Sequence, residues 1–272
     1  MKTIVRLFVP PIIWSMMARL RKRTVSVNVG SRRSLSNSVT GSVFTIPFHK
    51  VTQDRGVYFV PIYGEHRPAS QAVLNGEVYE PATHALIDSI MMHRPGSMIH
   101  AGTFFGDMLP TFARSCKGVV YAFEPVLESY VLAKLCVEAN EIENVFLQNA
   151  GLSDRISIAR IDTGGTDEQH RGGTSQVGNA GQSCALTTID SLGLDDVVLI
   201  QLDVEGHELA ALKGARATIA RNAPIILIED NLRTCSEFLK ELAYIRVGEI
   251  PGLSVWALLK DRSMLKDLLR QG

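Results

Sequence analysis

Leu199-Ile200-Gln201-Leu202-Asp203-Val204-Glu205-Gly206-His207-Glu208-Leu209 carries the architecture of the chain: an apolar run ends in two carboxylates and an imidazole around a glycine, and a helical pattern then resumes. Such an order delivers polar chemistry to the carboxyl edge of a parallel sheet, where open α/β folds place their ligands. Upstream, Met98-Ile99-His100-Ala101-Gly102-Thr103-Phe104-Phe105-Gly106 repeats the strand–glycine–helix theme. Val119-Val120-Tyr121-Ala122-Phe123-Glu124-Pro125 follows with an acid at its end. Together the three segments predict one nucleoside-binding cleft with reactive groups beside it.

Working outward, strand-like runs fall at 97–101, 119–123, 145–149, 198–202, 225–229 and 254–258, with a weaker one near 244–247. Helix-spaced apolar positions lie between them: Leu127, Val131 and Leu135 in one interval, Leu209, Leu212 and Ile219 in another. Regular alternation of this kind predicts an α/β fold with a doubly wound, mostly parallel seven-stranded sheet. Pro81 suits a first helical turn, and Leu86, Ile87, Ile90 and Met91 give a stripe that ends before Pro95-Gly96.

Two regions depart from the alternation. Residues 1–78 read as an N-terminal arm and a small β-containing extension, with strand-like pieces at Val25–Val29, Val43–Ile46 and Val57–Tyr63; residues 79–272 read as the ligand-binding domain. Between 151 and 190 no long helix is visible, and glycines crowd a polar run. Strands are expected near 156–161 and 185–189, flanking a loop over 162–182 that reads equally as a cover for the cleft or a surface excursion.

The 272 residues hold enough apolar side chains for a substantial core. With 28 basic against 28 acidic residues, no whole-molecule field favours a phosphate backbone, so nucleic acid is not an expected partner. Cys116, Cys136, Cys184 and Cys235 lack zinc-ligand spacing and read as reduced thiols of a cytoplasmic protein. The apolar stretch Leu7 to Ala18, broken by Pro10-Pro11 and followed by Arg19, Arg21, Lys22 and Arg23, is too short to span a membrane. It reads as an arm packed on the domain or as a peripheral contact at the inner membrane face.

Gly102 and Gly106 bracket the turn into a helix expected to begin near Asp107, whose first N–H groups would face an anion such as an amino acid carboxylate. The spacing lacks the paired glycines of a dinucleotide fingerprint, which weakens the rival reading of a nicotinamide-dependent oxidoreductase. Glu124 closes the next strand, where a carboxylate accepts both hydroxyls of a ribose. Asn149, ending the third strand, is placed to meet the adenine edge.

These residues resemble the FkbM family of S-adenosylmethionine-dependent methyltransferases, from about Glu80 to about Asp230. His100-Ala101-Gly102-Thr103-Phe104-Phe105-Gly106 stands where that family reads D-x-G-A-x-x-G, and Ala122-Phe123-Glu124-Pro125 matches its A-F-E-P. Asn149 to Asp154, Thr188-Ile189-Asp190-Ser191-Leu192 and Ile200 to Ala215 match its later blocks. The resemblance implies a class I methyltransferase fold of Rossmann-like type, S-adenosyl-L-methionine as cofactor, and O-methylation of a hydroxyl on a sugar, glycoconjugate or natural product. It also implies a cofactor set of Glu80, His100, Gly102, Thr103, Gly106, Glu124, Pro125, Asn149 and Asp203. His100 departs from the family's acid, which helps hold the cofactor's ammonium group; a catalytically degenerate binding protein is the alternative this departure raises.

Methyl transfer to oxygen is an in-line displacement that needs donor and acceptor aligned and the hydroxyl proton taken up. Asp203, Glu205, His207 and Glu229 converge on the expected edge, with Asp203 or His207 as general base and Glu205 and Glu229 as orienting groups. A second reading makes Asp203 and Glu229 ligands to a divalent metal that polarises the hydroxyl. Glu208 reads as a solvent-facing helix acid.

Overall fold

The computed structural model describes residues 26–29, 33–36, 43–164, 175–178, 181–230 and 234–271. The stretch Leu7 to Ala18 and the basic residues after it lie outside these. The chain opens with β1 (Ser26–Val29), β2 (Arg33–Ser36), β3 (Val43–Ile46), β4 (Phe48–Gln53), β5 (Gly56–Pro61), α1 (Pro68–Leu74) and α2 (Pro81–His93). It continues through β6 (Ser97–Ala101), α3 (Leu109–Ser115), β7 (Val120–Phe123), α4 (Leu127–Ala139) and β8 (Val145–Gln148). A β-rich insert follows, made of β9 (Gly151–Leu152), β10 (Ser157–Asp162), β11 (Gln176–Gly178) and β12 (Gln182–Thr187). The remainder is β13 (Val197–Leu202), α5 (Glu208–Lys213), α6 (Arg216–Asn222), β14 (Ile225–Ile228), α7 (Ser236–Glu241), β15 (Ile245–Ile250), β16 (Leu253–Ala257) and α8 (Arg262–Gln271).

Seven strands form one sheet in the order β15-β16-β14-β13-β6-β7-β8. The five from β14 to β8 are parallel, and β16 and β15 add on antiparallel. β6 and β14 are buried along their whole length, as strands covered on both faces must be. Alternate side chains therefore feed two cores. Met98, Val120, Leu199 and Leu227 pack under Ile87, Ile90, Phe112 and Leu265, while Ile99, Phe123, Ile200 and Ile228 pack under Leu212, Ile219, Phe238 and Leu239. From β6 the order runs outward to β7 on one side and β13 on the other, so the carboxyl ends of these three strands frame the crevice of a doubly wound fold.

The N-terminal strands β1, β4 and β5 form their own antiparallel sheet. Its buried Phe48, Val51, Tyr58 and Val60, together with Ile46 of β3, share a core with Phe104, Phe105, Leu132 and Cys136, so it braces the turn after β6 from behind. Asn140, at the end of α4, serves as a surrogate strand partner: its Oδ1 accepts the Val57 amide at 2.8 Å and its Nδ2 donates to the Val57 carbonyl at 2.7 Å.

The α2 stripe of Leu86, Ile87, Ile90 and Met91 is buried as expected. On α4 the buried face is Leu132, Ala133 and Cys136, while Leu127 is exposed, because the helix meets the N-terminal sheet as well as the main one. The insert holds the two expected strands at Ser157–Asp162 and Gln182–Thr187, and a third, Gln176–Gly178, that pairs with β10. Among the described residues no helix is long and apolar enough to cross a membrane.

Candidate active site

β6 ends in Ala101, and the chain turns at Gly102, whose φ is +90°. A Cβ there would lie 1.9 Å from the Asp203 carbonyl oxygen, so the glycine is required by the close approach of the turn after β13. Gly106 faces Ala133 of α4 in the same manner, and its role is packing between turn and helix. Thr103 is buried and its hydroxyl donates to the Phe123 carbonyl at 3.1 Å. Phe104 is held at φ +49°, a left-handed conformation costing about 1–2 kcal/mol for a residue with a side chain. The strain aims its amide at the neighbouring strand, where it donates to Glu124 Oε2 at 2.7 Å.

The helix expected from Asp107 begins at Leu109, and its first amides are not available to an anion. Leu109 N–H donates to the Gly106 carbonyl, Thr111 N–H to the Met108 carbonyl, and Pro110 has no N–H to give. His100, expected beside the cofactor, lies on the opposite face of β6. It is 1% exposed, its Nδ1 hydrogen-bonds Gln201 Oε1, and the edge of Phe112 packs 5.1 Å from its ring centroid. Burial holds the imidazole down to about 4, so it is neutral at physiological pH.

Glu124 is the polar centre of the cleft. Only 5% exposed, its Oε2 accepts the Phe104 amide and its Oε1 accepts the Val126 amide at 2.9 Å. Burial pushes the carboxyl up to about 8 against these two amides, which favour the ionised form. Each oxygen retains acceptor capacity for one further donor. Asn149, expected at the adenine edge, donates from Nδ2 to the carbonyls of Glu124 at 2.9 Å and Pro125 at 3.1 Å, so its side chain ties down the corner that presents Glu124.

Across the cleft, the turn after β13 presents Asp203, Glu205 and His207. Glu205 sits at φ +53° and Gly206 at +94°, and this tight turn is clasped by Glu208, whose Oε1 accepts the amides of Val204 at 3.1 Å and Gly206 at 3.0 Å. Glu208 is 2% exposed, which corrects its reading as a solvent-facing helix acid: the turn's amides need an acceptor and Glu208 supplies it. His207 lines the cleft and its Nε2 pairs with Ser153 Oγ at 3.0 Å; burial lowers its imidazole. Carboxylate oxygens of Asp203, Glu205 and Glu229 come within 4.8 Å of one another. Burial, a hydrogen bond with Glu229 and the charges of Glu229, Glu205 and Glu80 push Asp203 well above the usual carboxyl range, which favours its protonated form. Glu80, at φ +47°, accepts from the Thr83 hydroxyl at 2.9 Å and is likewise raised, chiefly by burial.

Between these walls lies a cleft. Gly102, Glu124, Pro125, Asp203, Glu205 and His207 line it, and so do Ile161, Ser175 and Val177 from the insert. His100, Thr103, Gly106 and Asn149 are placed in its supporting layer instead. Ser175 and Val177 fall in the 162–182 segment, read from the sequence equally as a cover for the cleft or a surface excursion, and the pairing of β11 onto β10 brings them to the wall.

The buried groups set a pH dependence. The fold holds Asp107 up to about 7 and Glu124 up to about 8, whereas unfolded carboxyls titrate near ~4. Between pH 6.5 and about 8.5 the folded chain binds more protons than the unfolded one, so its stability falls as pH rises. His84 and His100, held down to about 4 by burial, act oppositely, but only below their ordinary 6.5. The ligand-free protein should therefore melt at a lower temperature near pH 8.5 than at pH 6.5, and Glu124→Gln should reduce the difference. A melting temperature that rises over this interval would contradict the account.

A family model described as the methyltransferase FkbM domain matches residues 100–247, more than half of the chain. No curated protein matches. Among solved structures, a methyltransferase FkbM from Methylobacillus flagellatus is similar over 60% of this chain and 44% of its own length, with 17% identity and a TM-score of 0.44. A methyltransferase from Geobacter sulfurreducens is similar over 73% of this chain and 89% of its own, at 12% identity and a TM-score of 0.44. An O-methyltransferase from Bacillus cereus in complex with SAH is similar over 65% and 80%, at 11% and 0.41. At such identities and TM-scores these likenesses bear on none of the chemistry below.

Proposed function

The chain belongs to the FkbM family of methyltransferases, and on that premise we propose that it transfers the methyl group of S-adenosyl-L-methionine to a hydroxyl oxygen of a sugar, glycoconjugate or natural product. The observation that carries this reading is the pairing of two unlike walls across one cleft. On one side a buried carboxyl, Glu124, offers an acceptor to each of two ribose hydroxyls. On the other, Asp203, Glu205 and Glu229 concentrate negative charge where a sulfonium would come to lie.

The bound cofactor supplies an electrophilic methyl group on a positively charged sulfur. What this chain contributes is position and a proton acceptor. The Asp203 carboxylate takes the acceptor's hydroxyl proton as the carbon–oxygen bond forms and the carbon–sulfur bond breaks, leaving a methyl ether, S-adenosylhomocysteine and a protonated Asp203. His207 is occupied with Ser153, so Asp203 is the better-placed base and His207 an orienting group. Beside Glu229, a groove lined by Asp230, Lys240, Arg246, Glu249 and Trp256 opens to solvent and suits a polar, many-hydroxyl acceptor.

Isothermal calorimetry with S-adenosylhomocysteine and with NADH tests the assignment. We expect binding of the former and none of the latter; NADH binding without S-adenosylhomocysteine binding would overturn the reading in favour of an oxidoreductase.

The convergence of three carboxylates within 4.8 Å favours a second reading, in which Asp203 and Glu229 hold a divalent metal that polarises the hydroxyl. The hydrogen bond between Asp203 and Glu229 already offsets their repulsion, so the methyl-transfer rate should survive EDTA followed by gel filtration. A rate lost on that treatment and restored by magnesium or manganese would establish the metal reading instead.

A further inference from the structure

His207 stands at the head of α5, and what fixes its ring comes from the segment after β9. Ser153 is pinned there through its backbone. Its amide donates to the Thr187 carbonyl at 2.8 Å, and a Cβ on Gly214, at the far end of α5, would fall 1.9 Å from its carbonyl oxygen. This close approach lays α5 against Ser153, and the buried Ser153 hydroxyl meets His207 Nε2 at 3.0 Å. The same hydroxyl donates to Asp154 Oδ1 over a longer 3.4 Å.

A hydroxyl carries one hydrogen, and a carboxylate can only accept. With that hydrogen directed to Asp154, the Ser153 oxygen is left to accept from His207 Nε2–H. Burial lowers the imidazole below its usual range, so the ring is neutral near pH 7 and its other nitrogen, Nδ1, carries a lone pair. Gly151 and Leu152 line the cleft beside His207 whereas Ser153 does not, which puts the tether behind the ring. Nδ1 itself has no hydrogen-bond partner among the described residues.

We propose that Ser153 and Asp154 are positioning residues for His207: they hold the ring as its Nε2–H tautomer, with Nδ1 open to accept a hydrogen bond from a hydroxyl of a sugar acceptor. The part that concerns the acceptor rests on the methyl-transfer reading. Asp203 takes the proton of the hydroxyl that is methylated and Nδ1 holds a second one, so the acceptor is a molecule with more than one hydroxyl.

Nitrogen NMR of ring-labelled histidine in the ligand-free protein tests the tautomer, with His207→Gln identifying the His207 signals. The wild type should show Nε2 protonated and Nδ1 bare. Ser153→Ala removes the tether, and Asp154→Ala frees the hydroxyl to donate to Nε2, so both variants should give the averaged shifts of a tautomer mixture. A purely structural role of either residue would not move this ratio. Should Ser153→Ala fail to fold, Asp154→Ala, at an exposed position, carries the test alone. Methyl transfer to a panel of methyl glycosides reads the consequence. Both variants should slow it roughly three- to tenfold, the scale of one neutral hydrogen bond, with the calorimetric affinity for S-adenosylhomocysteine unchanged. A wild type protonated on Nδ1, variants that leave the tautomer or the rate unaltered, or a wild type that binds S-adenosylhomocysteine and methylates none of the glycosides would each overturn the proposal while the cofactor reading stands. A wild type that binds no S-adenosylhomocysteine overturns that reading, and the acceptor's place on Nδ1 with it.

Discussion

Glu124→Ala is expected to lower the affinity for S-adenosylhomocysteine by at least about a hundredfold, because two buried hydrogen bonds to ribose hydroxyls disappear together and leave those hydroxyls unpaired. The same substitution strips the acceptor from the amides of Phe104 and Val126, each costing about 1–3 kcal/mol if left unpaired. Phe104 would then keep its left-handed backbone with nothing to compensate it. Glu124→Gln separates the two effects. It preserves the shape and one acceptor oxygen, so the fold should be largely kept while the affinity still falls, by less than in the alanine variant. Calorimetry on both variants, with thermal denaturation alongside, checks the expectation, and a glutamine variant with wild-type affinity would remove Glu124 from the ribose.

Asp203→Asn should lower the methyl-transfer rate by roughly 10²- to 10⁴-fold, the usual contribution of a positioned proton acceptor, with cofactor affinity kept within a few fold. Stability provides an independent check. Asp203 is raised by burial and by Glu229, so its ionised form carries a like-charge repulsion within the fold. A neutral amide removes that repulsion, and the variant should melt at or above the wild-type temperature near pH ~8. Low activity in a protein that is no less stable cannot be ascribed to unfolding. Full activity in Asp203→Asn would exclude the residue both as base and as metal ligand.

Much of the frame was legible because it depends on local periodicity. The buried runs of β6, β13 and β14 and the stripe of α2 stand out by their own spacing, and the acids at their ends fall where a parallel sheet exposes them. Gly102 was legible as a required glycine, but for a different reason: the obstacle to a side chain is the carbonyl of Asp203, brought in by a strand remote in sequence. His100 shows where such reading stops. Two-residue alternation places it on the same face as Met98, but its partners Gln201 and Phe112 come from β13 and α3, which only tertiary packing brings together. Glu208 was misread because it bonds backbone amides exposed by a tight corner, and Asn149 likewise ties a corner through its Nδ2; the need for such an acceptor or donor appears only once the corner exists. Asp107 was read as the start of a helix, whereas Pro110 and the left-handed Phe104 delay the helix to Leu109 and leave Asp107 facing a cavity.

A crystal structure of the protein soaked with S-adenosylhomocysteine tests the central claim most directly. The account predicts both ribose hydroxyls within hydrogen-bonding distance of the Glu124 carboxyl, and the sulfur turned toward Asp203 and Glu229. A nucleoside bound away from Glu124, or a sulfur turned from those two acids, would contradict it.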